Sequence, residues 1–168
     1  MARYPRAKWV GANPNNFSTE KISPVRVVIH IEQGSETGTQ AWFNNPRAQV
    51  SAHFGNPRKL FARLQQFVDT DEMAYHCAQF NSTSIGVEHE GFSGQGLSVG
   101  QRFRLKRVLR WINCNHKIPL VFTNHPDVHG VCGHGVLPEG ALSHPNCPGA
   151  RILVDVNYLI HSMNRWNG

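Results

Sequence analysis

Between Val131 and Ala150 the chain reads VCGHGVLPEGALSHPNCPGA, which sets His134, His144, Cys132 and Cys147 among closely spaced glycines and prolines. Imidazole and thiolate are ligands for borderline-soft metals, and a catalytic zinc takes three protein ligands and keeps a fourth position open. One short loop does not comfortably supply all three, so a further ligand must come from elsewhere. His30 offers one, because it interrupts the apolar run VRVVIHIE where Val or Ile is expected. A core histidine bonded to a carbonyl would read the same way. In SIGVEHEG, alternation puts Glu88 on the face of Gly86 and Glu90, opposite Val87. A carboxylate beside water at a metal can act as general base and then protonate a leaving amine. The bland alternative for Glu88 and Glu90 is a solvated strand face.

These residues need elements to hold them. VRVVIHIE (25–32) is the best strand and belongs in the centre of a sheet. Strands are also expected at QVSAHF (49–54), TSIGVEHEG (83–91), PLVFT (119–123) and HGVCGH (129–134). ETGTQAWFNN (36–45) predicts a short helix, stopped before Pro46. Ser98 and Gln101 form a capping box for a helix whose Leu105, Val108, Leu109 and Ile112 fall at i, i+3, i+4, i+7. RILVDVNYLIHSMNRW predicts a last amphipathic helix. KLFARLQQFV (59–68) fits helix and strand equally. Residues 1–22 read as an extended lead-in to a single α/β domain spanning 1–168, with a mixed central sheet flanked by helices.

With 168 residues, 40% hydrophobic and 17% charged, the composition is that of a globular chain, and no run approaches a membrane span. The opening MARYPRAKWVGANPNN lacks the apolar core of a signal peptide. A formal charge of +6 favours polyanionic surroundings. The basic residues do not interleave with aromatics as in nucleic-acid modules, so no nucleic-acid partner is expected. Four cysteines without a CxxC pair do not make a disulfide scaffold.

In order along the chain, VVIH with His30, VSAHF with His53, AYH with His76, NSTSIGVEHEG and GHG…NCPG resemble the zinc-dependent N-acetylmuramoyl-L-alanine amidases. That family includes phage endolysins, cell-wall recycling amidases and peptidoglycan recognition proteins, and the resemblance runs from about residue 4 to the end. It implies one Zn²⁺ per chain, held by His30, His134 and Cys147 at one end of a surface groove, with Cys132 structural. It also implies Glu88 as the base, His144 as a stabiliser of the oxyanion, and His76, Tyr75 and His53 as substrate-side residues. His76 would line the groove or hydrogen-bond near the metal; His53 reads equally as sheet packing. Two departures stand out. Ala52 occupies the place where some members carry a catalytic tyrosine, and Pro145 occupies the place of a carbonyl-polarising residue, with His144 one position off register.

The resemblance implies hydrolysis of the amide joining N-acetylmuramic acid to L-alanine, with bacterial peptidoglycan as partner and anionic wall polymers as an attraction. A monomer without membrane insertion is expected. As a phage or prophage endolysin it would stay in the host cytoplasm until a membrane-permeabilising partner releases it. Two rival readings remain: a recognition module that binds peptidoglycan without cutting it, and a cysteine hydrolase using Cys147 or Cys77.

Overall fold

A computed structural model describes residues 2–165. Eight strands run β1 (Lys8–Trp9), β2 (Phe17–Lys21), β3 (Arg26–Ile29), β4 (Phe54–Asn56), β5 (Gln65–Gln66), β6 (Glu72–Ala74), β7 (Ser84–His89) and β8 (Gly130–Gly133). Four helices are α1 (Glu36–Asn44), α2 (Val99–His116), α3 (Pro138–Ser143) and α4 (Ala150–Asn164). The main sheet has the order β1-β5-β4-β7-β3-β8, and β2 pairs with β6 apart from it. It is mixed: β3 runs parallel to β7 and β8, whereas β4 and β5 are antiparallel.

Register decides where the chemistry falls. Ile29 pairs with Val87 on one side and with Gly133 on the other. One residue further, Glu88, His30 and His134 therefore stand in a single row across three parallel strands, at their carboxyl ends. Open sheets place ligands beyond these ends. Alternation then sorts the two faces. Val27, Ile85 and Val131, with Ile29 and Val87, face a core made with Leu105, Val108, Leu109 and Ile112 of α2 and Ile152, Val156 and Ile160 of α4. The opposite face carries Val28 and Cys132, packed with Cys77 and Leu137 beneath the row of polar residues. Each Leu or Ile buried in this way contributes about 1.5–3 kcal/mol.

The helix expectations are close to what is found. Ser98 and Gln101 form the capping box of α2, and Lys117 ends the helix in the left-handed conformation at φ 58°. Trp166, the last residue of the pattern for the final helix, lies outside the described residues.

Three strand readings change. The 49–54 strand is displaced to Phe54–Asn56, because Gln49 takes a positive φ of 54° and the chain runs irregularly until it meets β7. Residues 119–123 give only an isolated bridge, Phe122 to Val131. The ambiguous 59–68 segment is no helix: Gln65–Gln66 form a buried strand between β1 and β4, while Leu60 and Phe61 point into solvent. Residues 1–22 are extended but integrated. Lys8–Trp9 add an edge strand, Tyr4 packs into the core, and the buried Asn16 amide donates to the carbonyls of Phe43 and Asn45.

Candidate active site

His30 follows β3, His134 follows β8, and Cys147 lies in the turn that leads into α4. One ligand atom from each lies within 4.8 Å of the other two. Gly133 permits this closeness. A Cβ there would sit 2.9 Å from the Pro148 ring and 2.7 Å from Leu153, so any side chain would push the Cys147 turn off the sheet. Donation from the Gly135 amide to the Cys147 carbonyl at 2.8 Å fixes the turn from the other side.

The hydrogen-bond network assigns the tautomer of each histidine. Ser84 Oγ donates to the Phe80 carbonyl at 2.6 Å, so it accepts from His76 Nε2 at 3.3 Å. His76 Nδ1 is then an acceptor, and His30 donates to it from Nε2 at 3.1 Å. That leaves a lone pair on His30 Nδ1, which lies 3.9 Å from Cys147 Sγ and 4.0 Å from Glu88 Oε1. His134 donates from Nε2 to Glu139 Oε2 at 2.9 Å, so its Nδ1 is also free to ligate. Partners of this kind hold ligand rings in place and raise their basicity. Gly86 makes room for the first chain, since a Cβ there would sit 2.7 Å from the His76 ring.

The electrostatics of the cluster match a cation. Burial, then the neighbouring His134 and His76, hold His30 well below its ordinary value, so it stays neutral. Burial and, next, Glu88 push the Cys147 thiol up to about 12. Glu88 itself rises to about 8, through burial and the nearby Glu32. Its Oε2 is buried with no protein partner. The neutral His30 imidazole, the His134 ring with its free Nδ1, a thiol and a desolvated carboxyl converge, and a divalent ion would favour the ionised form of both acids. Tetrahedral zinc separates such donors by about 3.5 Å, close to the His30–Cys147 spacing. The donor set fits.

A cavity of about 830 Å³ opens from this cluster along α1, with Glu32, Trp42, Gln49 and Tyr75 on its walls. The exposed His144 stands at its mouth, its ring stacked on His134 at 5.2 Å and its Nδ1 2.7 Å from Ser143 Oγ. Tyr75 is half-buried in the wall, and His76 reaches the cavity while bonded behind His30. His53 does not belong on the substrate side. It is fully buried, accepts from the Gly86 amide at Nδ1 and donates from Nε2 to the Glu72 carbonyl, so both nitrogens are spent on the backbone.

Other residues escape the sequence pattern. Glu139 is the partner of His134, and only its place just after Pro138 at the start of a short helix hints at an ordered role. Burial raises the Glu139 carboxyl, but hydrogen bonds from His134 and Ser143 outweigh this and leave it below its ordinary value. Glu32 is a second groove carboxyl, pushed by burial to about 7. His89 is fully buried, with Nδ1 against the His30 carbonyl. Cys77 and Cys132 are buried thiols raised by desolvation to about 12 and about 11. Thiols of that kind are inert, which disfavours a cysteine hydrolase built on Cys77.

The N-acetylmuramoyl-L-alanine amidase family profile matches residues 20–150. N-acetylmuramoyl-L-alanine amidase A of Achromobacter lyticus is 34% identical over 146 residues, covering 80% of this chain and 82% of the relative. Among solved structures, a selenomethionine derivative of AmpD superposes with a TM-score of 0.70 at 20% identity, covering 94% of this chain and 96% of AmpD. The endolysin amidase LysCS of Clostridium intestinale URNW superposes with a TM-score of 0.67 at 14% identity, covering 98% and 99%. The mixed sheet, with a His-His-Cys cluster and a buried carboxyl at its strand ends, has the fold of these two structures. The chain belongs to the N-acetylmuramoyl-L-alanine amidase family and is an enzyme of that activity.

Proposed function

We propose that the chain is a zinc-dependent peptidoglycan hydrolase of the endolysin kind, cutting between N-acetylmuramic acid and the first L-alanine of the stem peptide. The observation that carries this reading is the row Glu88–His30–His134 across β7, β3 and β8, closed by Cys147. The endolysin role is supported by the likeness in fold to LysCS. Among the described residues no helix is long and apolar enough to cross a membrane.

His30 and His134 would hold zinc through Nδ1, with the Cys147 thiolate as third ligand. When bound, the ion supplies Lewis-acid polarisation of the scissile carbonyl and of the attacking water. Glu88 takes one proton from that water as its oxygen adds to the lactyl carbonyl carbon. His144, held at Nδ1 by Ser143, is placed to stabilise the developing oxyanion. Glu88 then passes its proton to the alanine nitrogen as the C–N bond breaks, leaving a lactyl carboxylic acid and a free amine, and the acid's remaining proton passes to the amine to give carboxylate and ammonium. Glu139 and His76 keep the two imidazoles in the ligating tautomer throughout. The exposed Trp42 and the half-buried Tyr75 offer aromatic faces for the sugar and peptide.

The test is product analysis. Purified peptidoglycan is digested with and without chelator, and new ends are read by mass spectrometry. New amino-terminal L-alanine together with peptide-free glycan, both abolished by chelator, is the expected result. Retention on the wall with no new ends would replace this reading with a binding module.

A further inference from the structure

A second pocket lies away from the catalytic cavity and shares no lining residue with it. Its volume is about 190 Å³, and Arg6, Arg63, Arg104 and Arg107 line it together with Leu60, Phe61 and Phe103. The segments that build it hold no carboxylate. Residues 1–13, 57–68 and 99–116 contain Arg and Lys but neither Asp nor Glu.

The rim combines charge with exposed apolar surface. Phe61 is 95% exposed, Phe103 56% and Leu60 53%. The Arg107 guanidinium lies 4.2 Å from the Phe103 ring centroid. Phe61 does not sit on a loose tip. Arg104, buried in α2, donates to the carbonyls of Pro57, Lys59, Leu60 and Ala62 and to the Asn56 side chain. Ser98 Oγ holds the Arg58 carbonyl at 2.8 Å. The loop also rests on the first turn of α2, where a Cβ on Gly100 would come within 2.8 Å of Leu60 Cα. A rigid loop that presents Leu-Phe to water within an arginine-rich face is apolar surface awaiting a partner.

We propose that this face docks peripherally on an anionic lipid surface, with Leu60 and Phe61 entering the headgroup layer and Arg6, Arg63 and Arg107 meeting lipid phosphates. A hydrophilic phosphate polymer would engage the arginines but leave Phe61 against water. An anionic bilayer engages both, since interfacial binding adds buried apolar area to attraction for acidic headgroups. The contact is independent of the hydrolytic chemistry, because the catalytic cavity does not include these residues.

Flotation of the full chain with phosphatidylcholine vesicles, and with vesicles that also contain phosphatidylglycerol, tests it. Binding is expected only with phosphatidylglycerol, and Phe61→Ser and Arg63→Glu should each weaken it by at least about tenfold. Both side chains are exposed, so an unchanged thermal midpoint and unchanged hydrolysis of a soluble muropeptide would certify folding. No binding to phosphatidylglycerol vesicles overturns the proposal. So does Phe61→Ser binding as the parent does, which would make the contact one of charge alone. Retention on a lipid-free polyol-phosphate polymer, with no vesicle binding, would assign the face to that polymer instead.

Discussion

His30 Nε2 and His76 Nδ1 lie 3.1 Å apart at the head of a hydrogen-bond chain that runs through Ser84 Oγ to the Phe80 carbonyl. The chain has one direction, because the final carbonyl can only accept. Its consequence at the other end is that His30 Nδ1, which faces Cys147 and Glu88, keeps its lone pair.

His76→Phe should therefore leave the sheet intact but lower zinc affinity and turnover by about 10–100-fold. His76→Gln, which can still accept from His30, should recover part of both. Competition with a chromophoric chelator gives the affinity. A purely structural role for His76 would predict loss of thermal stability with zinc affinity unchanged. Gly86→Ala should act in the same direction, by displacing the His76 ring.

Glu139→Ala removes the acceptor on the far side of His134. Its carboxylate is partly exposed, so the thermal midpoint of the metal-free protein should hold to within a few degrees. Zinc affinity should fall about tenfold or more. Equal affinity in parent and variant would show that the His134 ring needs no such support.

Cys147→Ser and Glu88→Gln should separate holding the metal from using it. The first should purify with little bound zinc and little activity. The second should keep one zinc per chain and lose about 10²–10⁴-fold in turnover. Metal analysis beside rate measurement decides the matter, and full activity of Glu88→Gln would remove Glu88 from the mechanism.

Acid should destabilise the fold through His53. Burial lowers its pKa from 6.5 to about 4, so between those values the unfolded chain binds a proton that the folded chain refuses. Stability is then intact above about pH 6.5 and falls as pH drops towards 4, by about 3 kcal/mol for this group. Urea midpoints across that range should slope downward in the parent. The slope should flatten in His53→Gln, provided that variant folds.

Much of the site could be read before folding because it sits at strand ends. His30 closes a β-branched run, and His134 and Cys147 are marked by adjoining Gly and Pro that admit close backbone approach. Alternation put Glu88 and Glu90 on one strand face alike, and only the family resemblance singled out Glu88. Glu139 was not legible, because its meeting with His134 depends on α3 folding back, and no periodicity encodes that. His53 stays open between sheet packing and the substrate side, because a histidine satisfied at both nitrogens by backbone looks, in sequence, like one aimed at a ligand. The 59–68 segment stayed ambiguous because its apolar residues serve two environments: Leu64 and Phe67 fill the core, whereas Leu60 and Phe61 remain outside.

The ligand trio joins segments far apart in the chain, with 117 positions separating His30 from Cys147. Those segments meet where β3 pairs with β8 and the Cys147–Pro148 turn closes over Gly133. An ion held there would act as a removable cross-link between the two halves of the polypeptide. It stabilises the folded state by mass action, rising with free ion concentration over the dissociation constant. Scarcity of the ion would therefore affect the persistence of the protein as well as its rate, and proteolytic lifetime would become a second gauge of ion supply.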